Sequence, residues 1–289
     1  MFKEDTMALF NKLKRRRGFN GVLSSLAAAT TAVPAANAAL KPKAPGETKV
    51  VAIFGTDYWH NGVAHEICIR SIFESKKDWR LIFARANKFF TPELISDADL
   101  LITCRTASID PIDFFTEGQD VADTMQEGSR LWTDENVKAV IDNVRNRGMG
   151  FLALHNTIYS GNREILDFID VKEIMHHEIQ PIWVRRLNQN HPITQGVGKF
   201  FINLDEQFAV IIKSHYTTTL FETTAIHEKR QAIGGWCLEN GKGRIVGLLP
   251  GHTVFPYRAP EYQNIIWRAA HWAMKRDIPR YPNEENTLY

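Results

Sequence analysis

Gly148-Met149-Gly150-Phe151-Leu152-Ala153-Leu154-His155-Asn156 is the stretch that decides the fold. Phe151 to Leu154 is apolar without alternation, the pattern of a strand buried on both faces. Upstream, Thr133 to Arg147 reads as a helix. Thr133 can cap its start, Asp134 and Glu135 fill its first turn, and Val137, Val140, Ile141 and Val144 recur at helical spacing. Gly148 suits the left-handed stop. A helix feeding a buried strand implies an open α/β sheet, in which ligands bind beyond the carboxyl ends of the strands. His155 would stand at that edge.

Working outward, two more runs share the pattern: Val50-Val51-Ala52-Ile53-Phe54 and Asp99-Leu100-Leu101-Ile102-Thr103-Cys104. A helix is expected from Val63 to about Ser75, with Val63, Ile67 and Ile72 on its apolar side. Arg80 to Ala84 and Pro181 to Leu187 are strand candidates. Gly161 to Lys172 can hold a short helix, and His191-Pro192-Ile193-Thr194 reads as a turn. Gln231 to Leu238 and Gly243 to Leu249 flank Glu239-Asn240-Gly241-Lys242 and predict a hairpin, since Asn-Gly is a strong hairpin signal. A last helix runs from about Pro260 to Met274, with Tyr262, Ile265, Ile266, Ala269, Ala270 and Ala273 as its apolar face. Ile109 to Arg130 is long and acidic and reads as an inserted loop. The expected sheet is mostly parallel, with helices on both faces.

An apolar fraction of 44% can build a real core, and a formal charge of +2 gives no case for nucleic acid. Cys68, Cys104 and Cys237 form neither a disulfide framework nor a CxxC metal motif. At the start, Lys12 to Arg17 is basic, Val22 to Val33 is Ala-rich and mildly apolar, and Ala36-Asn37-Ala38 offers a cleavage site. Arg16-Arg17-Gly18-Phe19 resembles the twin-arginine export signal, which implies a periplasmic or secreted protein. The apolar run is too short for a stable membrane span. The resulting plan is a signal peptide over 1–38, a linker over 39–48, one domain over 49–280 and a tail over 281–289.

Three strand-like runs are followed by a histidine: His60, His155 and His252. If those strands are parallel, the imidazoles converge on one rim, where neutral imidazole serves as base, hydrogen-bond donor or metal ligand. One strand-end histidine alone is more often structural; three that converge favour a site. His176-His177-Glu178 looks like a ligand cluster, but adjacent residues point apart, so one histidine at most should face the site. Glu206 is a candidate base or ligand, and equally a solvated loop acid. Tyr58, Trp59, Trp132, Tyr159 and Tyr257 fall in expected loops, where aromatics stack on sugars or cover the core. No Gly-x-Ser-x-Gly elbow, Walker loop, dinucleotide fingerprint or HExxH helix occurs. A thiol amidotransferase of related architecture would carry cysteine where His155 stands.

The order of motifs is similar to the trehalose-utilisation (ThuA-like) family. Arg147 to His155 resembles its "GGGLLALH" segment. Tyr58-Trp59-His60-Asn61, His191-Pro192-Ile193-Thr194 and Leu204-Asp205-Glu206-Gln207-Phe208 match in turn, followed by Gly241-Lys242-Gly243-Arg244-Ile245-Val246, Gly251-His252-Thr253 and the closing Ile266 to Ala273. Three features depart from the pattern. Trp59-His60-Asn61 replaces Arg-His-Asp, Phe208 replaces a tyrosine, and the acidic insert near 110–127 is additional. The resemblance implies a flavodoxin-like, class I glutamine amidotransferase-like sheet without the cysteine nucleophile. It also implies carbohydrate breakdown, often of sugars first oxidised by a partner dehydrogenase.

The expected activity is proton abstraction on a keto-sugar or glycoside, leading to isomerisation, elimination or hydrolysis. His155, His252 and Glu206 are the expected catalytic residues. Tyr58, Trp59, Asn156, Tyr159 and Tyr257 are expected to bind the sugar, and His60 and His177 are the candidate ligands of a divalent metal ion. Two other classes stay open: a non-catalytic glycan-binding module, and a hydrolase whose metal activates water.

Overall fold

The backbone alternates apolar runs and capped helices, and the strands assemble into one nine-stranded sheet. A computed structural model describes residues 41–54, 60–85, 89–104, 132–159 and 162–283, with the side chains of Tyr159 and Glu173 excepted. The expected signal segment, the acidic insert, Tyr58 and Trp59 lie outside the described residues. In chain order the elements are β1 (Thr48–Ile53), α1 (Gly62–Ile72), β2 (Trp79–Ala84), α2 (Pro92–Ile95), β3 (Leu100–Thr103), α3 (Asp134–Asp142) and β4 (Gly150–Leu154). There follow α4 (Arg163–Phe168), β5 (Val171–Arg186), β6 (Phe200–Ile212), β7 (Thr218–Ala225), β8 (Arg230–Asn240), β9 (Gly243–Leu248), α5 (Val254–Arg258) and α6 (Pro260–Ala273). No described helix is long and apolar enough to cross a membrane.

The sheet order is β2-β1-β3-β4-β9-β8-β7-β5-β6. The pairs β1–β2, β1–β3, β3–β4 and β4–β9 are parallel. The pairs β5–β6, β5–β7, β7–β8 and β8–β9 are antiparallel. The fold is α/β, but the expectation of a mostly parallel sheet is corrected: the sheet is mixed, and its antiparallel wing holds most of the strand residues. Within it, β6, β7 and the first half of β5 went unread because they carry a solvated face. The β6 pattern, Phe-Phe-Ile-Asn-Leu-Asp-Glu-Gln-Phe-Ala-Val-Ile-Ile, mixes buried and exposed positions instead of forming one apolar block.

The parallel strands match their reading closely. Val50, Ala52, Leu152 and Leu154 join a core with Ile69 and Ile72 of α1 and with Ile265, Ile266 and Ala270 of α6. The alternate residues, such as Phe151, are equally buried but face the other side, where Phe151 packs on Phe168 of α4 at 6.1 Å between ring centroids. Helices therefore cover both faces of this half. The Thr133 side chain accepts from the Asn136 N–H and caps α3, as expected. The last turn, Asn143–Arg147, widens to a π-helical turn before Gly148 stops it at φ 89°. The β8–β9 hairpin forms as expected, though Gly241-Lys242 are the two turn residues and Asn240 pairs with Gly243.

Three expectations need correction. On α1, Val63 and Ile67 are exposed, and the buried side carries His65, Glu66, Ile69 and Ile72. A buried acid is tolerated there because Arg70 and Arg85 both pair with Glu66. The linker reaches further into the domain than expected: Lys43 Nζ donates to Asp99 at 2.8 Å, and Thr48 already belongs to β1. Tyr281, placed in the tail, is buried against Trp267.

His271 of α6 illustrates how this core sets an acid limit. Its ring packs against both Trp79 and Trp267, which stack on each other, and its Nδ1–H donates to the Trp267 carbonyl. Burial pushes its pKa from the ordinary 6.5 down to about 4. Between those values the unfolded chain binds the proton and the folded one does not. Stability is thus full above about pH 6.5 and declines on acidification toward pH 4. Unfolding curves taken across that window should show the decline, and His271→Phe should flatten it.

Candidate functional site

The three histidines expected on one rim meet there. β1, β4 and β9 run parallel, so their carboxyl ends share one edge of the sheet. His60 follows β1, His155 follows β4 directly, and His252 follows β9. Ring centroids are 5.3 Å apart for His60–His155, 4.7 Å for His60–His252 and 5.4 Å for His155–His252.

His155 sits on a sharp strand-to-helix turn. Its φ is 34°, a left-handed value that costs a non-glycine residue about 1–3 kcal/mol. The strain is held by its surroundings: Leu154 is buried, and Thr157 in the following 3-10 turn donates to the Thr103 carbonyl at the end of β3. His155 is 0% exposed. Its Nδ1–H donates to the Leu249 carbonyl at 2.8 Å, which leaves the Nε2 lone pair directed at the cluster. Burial, and then the neighbouring His60 and His252, push its pKa well below the ordinary value. The ring is a neutral imidazole, fit to act as a base or a ligand.

Glu206 joins the histidines from the middle of β6. Its Oε2 lies 3.6 Å from His155 Nε2 and 3.3 Å from His252 Nδ1, and its Oε1 lies 3.0 Å from His176 Nδ1. The expected loop acid is therefore a strand residue facing the site. His176, not His177, is the histidine that reaches it. His177 pairs instead with Glu228 at 2.9 Å, so its assignment as a ligand of this cluster is corrected. The physical reason is strand alternation: adjacent side chains on β5 leave opposite faces of the sheet. The His176 side chain is 49% exposed and forms the open rim of an otherwise buried group. Phe208, the family's tyrosine position, packs its ring 4.7 Å from His155 and 5.7 Å from His176. An apolar wall stands there in place of a phenol.

Behind the cluster lies Asp205, a residue that sequence reasoning did not place in the site. It is fully buried, and its carboxylate accepts from the Gly251 N–H at 2.9 Å and the Thr253 N–H at 3.1 Å. Burial pushes its carboxyl up to about 7, against the pull of those two donors and of His252. The Thr253 hydroxyl also donates to the Leu204 carbonyl. Gly251 lies at φ 156°, and a Cβ there would meet the Tyr257 hydroxyl at 2.4 Å and His155 Cβ at 3.0 Å. Asp205 thus sets the loop that aims His252. The available signal was its place beside Glu206 in a strand with an exposed face.

Tyr257, expected as a loop aromatic for sugar stacking, lies in α5 and is 0% exposed. Its hydroxyl is 3.2 Å from Cys104 Sγ, and its ring packs 5.1 Å from His65, so it is core and cannot stack on a ligand. Trp132 is likewise buried against Phe90. Asn156 is buried in the turn after His155, and the side chain of Tyr159 lies outside the description. Asn61, where the family pattern has an acid, caps α1 by accepting from the Ala64 N–H.

The sequence matches the family described as ThuA, trehalose utilisation, over residues 49–273. The chain belongs to the ThuA family. No curated protein matches it. Among solved structures, this ThuA chain is similar to a ThuA-like protein from Parabacteroides merdae, with 15% identity and a TM-score of 0.58, covering 81% of this chain and 94% of that one. A ThuA-like protein from Bacteroides uniformis aligns at 13% identity and a TM-score of 0.57, covering 81% and 93%. A glutamine amidotransferase from Thermotoga maritima aligns at 13% identity and a TM-score of 0.44, covering 84% and 86%.

Replacing Asp205 tests the loop anchor. Asp205→Ala strands two buried N–H groups, each worth about 1–3 kcal/mol. The midpoint of chemical unfolding should fall accordingly, with faster amide exchange at Gly251 and Thr253. Asp205→Asn keeps an acceptor and should cost less.

Proposed function

We propose that this ThuA protein is a carbohydrate-processing enzyme that removes a proton beside a carbonyl on an oxidised sugar. The observation that carries this reading is Glu206, whose carboxylate is met by His155, His176 and His252 from three separate elements. A ketone acidifies the neighbouring C–H bond, and a base held within reach can take that proton. The freed electron pair forms a carbon–carbon double bond, and the carbonyl electrons move onto oxygen. That developing oxyanion needs a hydrogen-bond donor or a positive charge beside it.

The acid–base work falls to the Glu206–His176 pair. His176 stands at the open rim, so its proton can exchange with water. Returning the proton to the former carbonyl carbon completes an isomerisation. Alternatively, a glycosidic oxygen on the next carbon leaves with the electron pair and takes the proton, which gives an elimination. The family description, trehalose utilisation, supports a glycoside as the substrate class. On this reading a sugar dehydrogenase acts upstream to supply the ketone. The twin-arginine-like Arg16-Arg17 segment supports export to the periplasm as the place of work. Sugar contacts from Tyr58, Trp59, Asn156 and Tyr159 remain part of this proposal.

The purified protein should be incubated with oxidised and unoxidised disaccharides in heavy water and followed by product mass. Deuterium uptake or a new product is expected only with the keto forms. His155→Ala should abolish turnover while the folded fraction stays near wild type. His176→Ala should lower kcat by about 10²–10⁴-fold. Sugar affinity with no exchange and no product would instead make the protein a glycan-binding module.

A further inference from the structure

Glu206 poses an electrostatic problem. Its carboxylate is largely removed from water, and its ion-pair contacts among the described residues are all to imidazoles, with no lysine or arginine. Beside it, one ligand atom from each of His60, His155 and His252 lies within 4.8 Å of the others. His155 Nε2 is buried, faces this centre and makes no hydrogen bond. Three imidazoles gathered at one point, with a carboxylate beside two of them, make a set that suits a cation.

The three nitrogens, within 4.8 Å of one another, need to draw in by about 1 Å at most to share an ion. A metal–nitrogen bond of about 2.1 Å sets neighbouring ligand atoms of a four-coordinate site about 3.4 Å apart. Glu206 Oε2 lies 3.3 Å from His252 Nδ1 and 3.6 Å from His155 Nε2. The supporting contacts are also those of a metal site. A ligating histidine usually donates its other N–H to a carbonyl, as His155 does to Leu249. The second oxygen of Glu206 is held in turn by His176.

The geometry points to a first-row divalent cation held by His155 Nε2 and one ring nitrogen each of His60 and His252, with the Glu206 carboxylate beside it and not bound to it. This replaces the pairing of His60 with His177 expected from sequence. Imidazole donors without thiolate favour iron, cobalt, nickel, copper or zinc over calcium and magnesium. Such an ion balances the buried carboxylate and, when bound, polarises a sugar carbonyl or hydroxyl oxygen. The inference rests on the proposed function for the identity of the oxygen ligand, though not for the ion itself.

The test is chelation of the full chain followed by titration with cobalt(II), read by calorimetry and by the visible d–d absorption. One cobalt per chain is expected. His155→Ala and His252→Gln should each weaken uptake by about 100-fold or more, beyond what loss of an outer partner costs. His176→Ala removes only an outer partner and should weaken it about tenfold. His177→Ala should change nothing. Circular dichroism monitors folding, and His252→Gln, at the less buried position, carries the test if His155→Ala fails to fold. A folded wild type that takes up no cobalt overturns the inference, as does uptake indifferent to both ligand variants. Uptake without action on any sugar would uphold the ion and sink the proposed reaction.

Discussion

The bonds from the Asp205 carboxylate to the backbone of Gly251 and Thr253 join the two halves of this molecule at the point where chemistry is possible. One half is a parallel sheet whose strand ends deliver imidazoles. The other is an antiparallel wing that delivers a carboxylate and a rim histidine. Strand β6 is the last strand of the sheet and lies four strands from β9, so hydrogen bonding within the sheet does not bring Glu206 to His252. Asp205 does so from the neighbouring position, by fastening the loop after β9 onto β6. An acid fully out of water is costly, and its raised pKa records that cost. The cost is accepted because two N–H groups would otherwise be orphaned in the same place.

The site is also graded in its access to water. His155 is sealed, His60 and His252 are nearly so, and His176 stands half in solvent. A ring that must keep a fixed tautomer gains from burial, because the Leu249 carbonyl then meets no competing donor. A group that exchanges protons with water gains from exposure. The Phe208 ring lies against both, and narrows the space without adding a titratable group of its own.

The parallel half was legible because its signals are redundant. Val50 to Phe54, Leu100 to Thr103 and Phe151 to Leu154 are continuous apolar runs, and Thr133 and Gly148 bracket the helix between two of them. The convergence of His60, His155 and His252 followed from that topology alone. The wing was legible only in part: the β8–β9 hairpin and the end of β5 were read, and β6 and β7 were not. Lys172 to Gln180 is polar and partly exposed, yet it extends a strand that was read only from Pro181 onward. With that strand missing, the alternation that separates His176 from His177 had no register to act on. Helix α1 misled for the opposite reason. Its aliphatic Val63 and Ile67 face out, and its buried side includes a histidine and a paired glutamate, which no count of apolar residues can show.

The left-handed turn at residue 155 behaves as a socket. The backbone there is held by the buried strand before it, the Thr157–Thr103 tie after it and the bond from the ring to the Leu249 carbonyl. Any side chain placed in it would be thrust toward the same spot above the sheet. A thiol in that socket would make the spot a nucleophile's seat; a ring with one nitrogen already spoken for makes it a fixed donor. The scaffold fixes the direction, and the occupant alone decides which chemical group is presented there.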